Sequence, residues 1–71
     1  MILSWEPQMR DKISDRKRRW KYPSKVKIES EYATAHNAYV IFDTADNESV
    51  SAIVKGWSDI AQVEVHPVKK L

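Results

Sequence analysis

Hydrophobic residues recur with two different periods along the chain, and these periods predict the secondary structure. Residues 1–5 form a short apolar run that ends at Glu6-Pro7, which predicts a first strand followed by a turn. Apolar side chains then recur at helical spacing over residues 8–21, and Pro7 suits the first position of such a helix. Pro23 ends the helix. The buried stripe is expected to contain Met9, Ile13 and Trp20, with Arg16 covering the remaining place through its methylenes.

The middle of the chain predicts two strands. Residues 24–32 alternate strictly, so Val26, Ile28 and Tyr32 are expected on one face of a sheet. The opposite face of this strand is then charged and carries Lys25, Lys27, Glu29 and Glu31. Residues 38–43, with the sequence AYVIFD, are apolar on both faces, which is typical of a central strand.

A second helix and a last strand complete the pattern. Asp46 is predicted as the N-cap of the helix, with Glu48 in the first turn, where an acid complements the helix dipole. The apolar positions follow at i, i+3, i+4 and i+7, and they are Val50, Ile53, Val54 and Trp57. Gly56 lies near the end of this helix and is expected to help terminate it. Residues 60–68 then alternate as a strand, with Val63 and Val65 on one face.

The predicted order is strand, helix, strand, strand, helix, strand, joined by short connections. This order indicates a single α+β domain over residues 1–71 with a ferredoxin-like βαββαβ fold. Its four strands form an antiparallel sheet, both helices cover one face, and the other face is open.

Several short motifs resemble an uncharacterised prokaryotic family of domains of unknown function in the dimeric α+β barrel superfamily. They are Trp5-Glu6-Pro7 after the first strand, Pro23, Val26 and Lys27 at the entry to the second, Trp57-Ser58-Asp59, and VEVHPV at the end. The resemblance spans nearly the whole chain, and the order of the motifs carries it. It implies a subunit whose open sheet face packs on that of a partner, and it implies no established activity.

The size and composition favour oligomerisation. A chain of 71 residues has a thin core, and small domains compensate with disulfides, metals or subunit contacts. There is no cysteine, which excludes disulfides and thiolate chemistry. His36 and His66 do not suffice for a structural zinc site without carboxylates, so we expect neither metal nor cofactor. The expected partner is a second copy of the chain, with a homodimer as first choice.

Basic residues are concentrated in the first helix. Seven of the twelve lie within residues 10–21, the first being Arg10 and the last Lys21. Lys17, Arg18, Arg19 and Lys21 would form a basic patch, and Trp20 or Tyr22 would stack on bases if the helix bound nucleic acid. We favour the simpler interpretation, a solvated helix end whose cations complement the dipole while Trp20 is in the core.

The open sheet face carries the other candidate residues. If Val40, Phe42 and Val63 face the helices, the following residues face away: Lys27, Glu29, Tyr39, Ile41, Glu64 and His66, with either Trp5 or Ser4 beside them. Such a face suits a partner or a ligand at the subunit interface. Tyr39, Glu64 and His66 are candidate acid/base groups for a metal-independent enzyme. For these three residues we favour salt bridges and hydrogen bonds at an interface over a role in catalysis.

Nothing in the sequence predicts a membrane segment. No stretch approaches the roughly 18 apolar residues that cross a bilayer, and residues 1–7 lack the pattern of a signal peptide. The expected location is the cytoplasm. A small homo-oligomeric domain that binds a ligand is therefore the favoured function, ahead of a nucleic-acid-binding module and an enzyme.

Overall fold

The computed structural model describes residues 1–68 and contains all six predicted elements. The strands are β1 (Ile2–Ser4), β2 (Lys27–Ala33), β3 (Asn37–Asp43) and β4 (Gln62–Glu64). The helices are α1 (Arg10–Arg19), preceded by a 3₁₀ turn (Pro7–Met9), and α2 (Asn47–Trp57). The element order confirms the prediction of an α+β domain with a four-stranded antiparallel sheet and two helices.

The sheet has the strand order β2-β3-β1-β4, and every neighbouring pair is antiparallel. Residues paired across strands share a face. Leu3 pairs with Ala38 and Val63 on one face, whereas Ile2 pairs with Tyr39 and Glu64 on the other. Within residues 1–68 only the first face is covered, because its side chains join both helices in one core. The buried members of that core are Leu3, Ile13, Val40, Ile53, Trp57 and Ile60.

A β-bulge in β2 overturns part of the predicted strand pattern. Ile28 pairs with Phe42, but the next pair along is Ser30 with Ile41, so Glu29 is an extra residue. One extra residue reverses the alternation beyond it. As a result Tyr32, expected beside Ile28, pairs with Tyr39 on the open face. Glu31, expected on the charged face, pairs with Val40 on the helix side.

The amphipathic pattern of α1 is confirmed. Pro7 occupies the first position of the 3₁₀ turn that leads into α1, where its missing N–H costs no hydrogen bond. Ile13 is buried, and Trp20, just after the helix, packs on Trp57 with ring centroids 5.5 Å apart. Tyr22 packs against the edge of the same indole at 5.9 Å. Trp20 is therefore a packing residue, as its place on the stripe predicted.

The start of α2 is confirmed, but the predicted role of Gly56 is wrong. The Asp46 side chain accepts hydrogen bonds from the Glu48 N–H and, at 2.7 Å, from Ser49 Oγ. Gly56 lies within α2 and has a negative φ, so it is no left-handed cap. A Cβ there would lie 2.5 Å from Trp20 Cζ3 and closer still to Cη2. Glycine is needed because the Trp20 ring lies against the helix backbone.

The last strand is shorter than predicted. β4 covers Gln62–Glu64, where it pairs with β1, and the chain after it is irregular up to residue 68. Val65, expected to face the helices, lies beyond the strand and is exposed. The three residues of β1 limit the pairing, because a ladder extends only as far as both strands.

Candidate functional site

A cavity of about 520 Å³ lies between α1 and the β2–β3 half of the sheet. Its floor is formed by apolar side chains of the helix-covered face, among them Leu3, Ala38 and Val40. Trp57 from α2 and Trp5 after β1 complete the apolar part. A concave, mainly apolar space of this size is typical of a small-molecule site.

One stripe of α1 forms the wall opposite the sheet. Arg10, Ile13, Ser14 and Lys17 all line the cavity, and their offsets of three, four and seven place them on one side of a helix. Ile13 contributes to the core, whereas the other three bring polar groups to the rim. Because seven residues of helix rise by about 10 Å, Arg10 and Lys17 lie near opposite ends of this wall.

A polar cluster of Lys17, Glu31 and Tyr22 lines the far end of the cavity. Lys17 Nζ donates to both Glu31 carboxylate oxygens at 3.0 and 3.2 Å. The same ammonium lies 5.5 Å from the centroid of the Tyr22 ring, within range of a cation–π contact. The polar end of the cavity therefore has its charges paired.

Ionisation in this cluster is shifted toward a charged carboxylate and a neutral phenol. Burial raises the pKa of the Tyr22 hydroxyl, and the neighbouring Glu31 carboxylate raises it further. Partial burial by itself would raise the pKa of Glu31, but Lys17 and Tyr22 together hold it below its ordinary value. Glu31 is therefore ionised at neutral pH, and Tyr22 keeps its proton.

The sequence pattern did not predict this cluster, because the bulge in β2 moves Glu31 to the other face of the sheet. Glu31 reaches the helix side only since Glu29 adds one residue to β2. The apolar residues Ile28 and Tyr32 are four positions apart, which fits uninterrupted alternation, so their spacing contains no sign of the bulge. The register of β2 against β3 decides which face of the sheet Glu31 occupies.

Trp5 belongs to the cavity and not to the open face. Its backbone N–H donates to the His36 carbonyl at 3.0 Å, and its side chain packs against the core. Ser4 takes the place on the open face instead, where its Oγ donates to Asn37 Oδ1 at 2.9 Å. The indole Nε1 atoms of Trp5 and Trp57 are buried and have no hydrogen-bond partner within residues 1–68.

The predicted basic patch is largely paired with acids. Arg18 and Arg19 both donate to Asp15 at 2.9 Å, and Lys17 is held by Glu31. Lys21 is exposed, with no ion pair to any residue from 1 to 68. Surface pairs add little stability, but they reduce the positive field that phosphates would meet.

Arg16 links the two helices and adds no free charge to that patch. Its guanidinium donates to the Gly56 carbonyl at 2.8 Å and forms a two-pronged ion pair with Asp59. The hydrogen bond to Asp59 raises the pKa of Arg16, and the same bond lowers the pKa of Asp59. Both groups thus stay charged, and Arg16 docks α1 on the end of α2.

The predicted acid/base residues lie on the open face. Tyr39 and Glu64 flank Ile2 on neighbouring strands, and His66 Nε2 is 3.3 Å from Glu64 Oε2. The Glu64 and His66 side chains are 68% and 64% exposed, and none of the three lines the cavity under α1. Within one chain this trio is solvated.

The remaining residues predicted for that face are also accessible. Lys27 pairs with Asp43 at the start of β2, Glu29 is the bulged residue, and Ile41 is 43% exposed. His36 is exposed in the turn between β2 and β3, as expected of a loop residue. Among residues 1–68 no group of three or more histidines and carboxylates is placed to hold a metal ion. No helix in the same range is both long and apolar enough to cross a bilayer.

The fold and the cavity define a small α+β domain of ferredoxin-like architecture with an apolar chamber under its first helix. The chain belongs to the DUF3303 family, a domain of unknown function whose family model matches residues 1–71. No curated protein and no solved structure matches it.

Proposed function

We propose that this domain binds a small, largely apolar molecule in the cavity between α1 and the sheet. The main support for the proposal is the cavity itself, which has a volume of about 520 Å³ and is lined at its base by side chains of the core. A concave, mainly apolar space of this size, lined by core side chains and open to solvent at its rim, is the usual form of a small-molecule site. The molecule would lie within one chain, on the covered side of the sheet, and not at the open face.

The cavity is a better candidate than the two surfaces that the sequence suggested. The basic helix has most of its charges paired, and Trp20 is packed between Tyr22 and Trp57. The acid/base trio on the open face is solvated. The two alternative functions can be tested separately. Salt-sensitive binding of a polyanion would support nucleic-acid binding. An enclosed site around His66 would support catalysis.

The proposal can be tested with 1-octanol, a neutral probe with an apolar chain. In a titration followed by two-dimensional ¹H–¹⁵N NMR, the amides of Ser14, Ala33 and Ala38 should shift, since all three residues line the cavity. The amide of Ala52, exposed on α2, should not. Shifts confined to the open face, or none up to millimolar probe, would contradict the proposal.

A pair of variants sharpens the test. Ala38→Leu extends a side chain into the cavity and should weaken octanol binding by about tenfold or more, because most of a bound apolar ligand is buried. Ala52→Leu adds the same atoms at an exposed site and should leave binding unchanged. If Ala38→Leu fails to fold, Ser14→Leu fills the cavity from the α1 side, where the residue is exposed and tolerant.

We further propose that the open sheet face packs on a second copy of the chain. The support is a group of exposed apolar and aromatic side chains on this face: Tyr32 is 66%, Tyr39 40% and Ile41 43% exposed. Contiguous exposed apolar surface of this kind marks interaction sites. The mass in solution tests it: a clean monomer at micromolar concentration would contradict the proposal.

A further inference from the structure

The charges around the cavity are unequal, and the excess is positive. Among residues 1–68, three charged side chains line it, Arg10, Lys17 and Glu31. Lys17 and Glu31 neutralise each other through two hydrogen bonds of 3.0 and 3.2 Å. Arg10 forms no ion pair with any other residue from 1 to 68.

We infer that the occupant of this cavity carries a single anionic head group, such as a carboxylate, that pairs with Arg10 while its apolar part lies over Leu3, Ala38 and Val40. This inference rests on the proposed function and adds the chemical class of the ligand.

The position of Arg10 supports the pairing. It is the first residue of α1, on the same stripe as Ser14 and Lys17 and about 10 Å from Lys17 along the helix axis. The paired Lys17–Glu31 cluster closes one end of the wall, and Arg10 stands at the other. Ser14, one turn from Arg10 on the same stripe, adds a hydroxyl donor. An arginine matches the two oxygens of a carboxylate with two parallel N–H donors.

A cationic ligand is the opposite choice, and the structure disfavours it. Among residues 1–68, Glu31 is the only negatively charged side chain that lines the cavity. Its carboxylate already accepts two hydrogen bonds from Lys17 and lies beside the Tyr22 hydroxyl. A ligand ammonium would have to displace Lys17, leaving that charge without its partner. An anion at Arg10 displaces no protein group.

Three eight-carbon probes separate these possibilities: octanoate, 1-octanol and octylammonium, each titrated at pH 7 and low salt. We expect octanoate to bind about tenfold more tightly than octanol, which corresponds to about 1.4 kcal/mol. Arg10→Gln should remove this advantage, so that octanoate and octanol bind to this variant with equal affinity. Lys12→Gln removes the same charge from a nearby residue of α1 that does not line the cavity. This variant should still bind octanoate more tightly than octanol.

Each result decides between the two proposals. Octanoate binding no tighter than octanol, unchanged binding in Arg10→Gln, or tighter binding of octylammonium would overturn the anionic ligand and leave the apolar cavity as a binding site. If Lys12→Gln loses the preference for octanoate as fully as Arg10→Gln does, the preference comes from the net charge of the helix. That result would also overturn the pairing of the head group with Arg10. If no probe shifts the cavity amides, the proposed function fails and the inference fails with it.

Discussion

Gly56 offers the sharpest test of how α1 and α2 fit together. Replacing a helical glycine by alanine normally stabilises a helix by about 1 kcal/mol. Here the new methyl group would lie 2.5 Å from Trp20 Cζ3, and closer to Cη2, where carbon atoms normally approach to about 3.5–4.0 Å. The Trp20 ring has little room to retreat, because Tyr22 and Trp57 pack against it.

We therefore expect Gly56→Ala to destabilise the protein. Overpacking costs about 1–3 kcal/mol, and the severity of this overlap places it near the upper end. After the gain in helix propensity, the net loss is about 2 kcal/mol. That is a large share of the roughly 4–10 kcal/mol expected for a domain of this length. Urea denaturation followed by far-UV circular dichroism measures it without relying on tryptophan fluorescence.

A double-mutant cycle with Trp20→Phe identifies the cause. The smaller ring lacks the atoms that meet the new methyl group, although its own loss of buried area costs about 1–2 kcal/mol. In the Trp20→Phe background, Gly56→Ala should be neutral or stabilising by up to about 1 kcal/mol, a coupling of about 2–3 kcal/mol. Ala52→Gly, at an exposed position of α2, calibrates the propensity and should cost about 1 kcal/mol. An equal loss in both backgrounds, or a stabilised Gly56→Ala single variant, would show that the Trp20 ring does not exclude a side chain at position 56.

Three further predictions concern the α2 cap, the cavity cluster and the open face. Asp46→Ala removes the hydrogen bonds to the Glu48 N–H and the Ser49 hydroxyl and should cost about 1 kcal/mol in urea denaturation; an unchanged midpoint would contradict the cap. The pKa of Glu31 in the folded protein is below its ordinary value of 4.5. The Glu31 carboxylate therefore contributes fully to the free energy of unfolding above pH 4.5, and this contribution is lost as the pH falls through the folded-state pKa. The stability advantage of the wild type over Glu31→Gln should therefore shrink as pH is lowered from about 6 to about 3, and a constant difference would contradict it. Ile41→Asp should convert the dimer that we propose for the open face to a monomer in sedimentation. Because the Ile41 side chain is 43% exposed and aspartate is a poor strand former, the monomer itself should lose about 1 kcal/mol of stability.

Local patterns in the sequence were enough to predict several of the secondary-structure elements. The α1 stripe of Ile13 and Trp20 and the Asp46 cap of α2 depend on residues within a few turns of one another, so spacing and capping chemistry predict them. Alternation in β3 likewise predicted that Val40 and Tyr39 lie on opposite faces, although the strand is apolar on both and the sequence left open which face the helices cover. The element order then left the ferredoxin-like fold as the natural arrangement.

Other features depend on residues that are distant in the sequence, so they emerge only from the folded chain. The bulge at Glu29 is a property of the pairing with β3, and it moves Glu31 to the cavity and Tyr32 to the open face. The need for Gly56 comes from Trp20, which is far away in the chain but lies against the α2 backbone. Lys17 likewise became part of a paired cluster, and not of a free basic patch, because β2 brings Glu31 beneath it.

The candidate site belongs almost wholly to this second group. Its wall is a helix, its floor is a sheet, and its charged rim brings Glu31 together with Lys17 and Arg10, which lie 14 and 21 positions earlier in the sequence. A cavity exists only where packing leaves a space between such elements, and neither hydrophobic period nor local charge specifies how closely they pack. Sequence periodicity therefore identified the two layers of this protein, while their docking created the chamber between them.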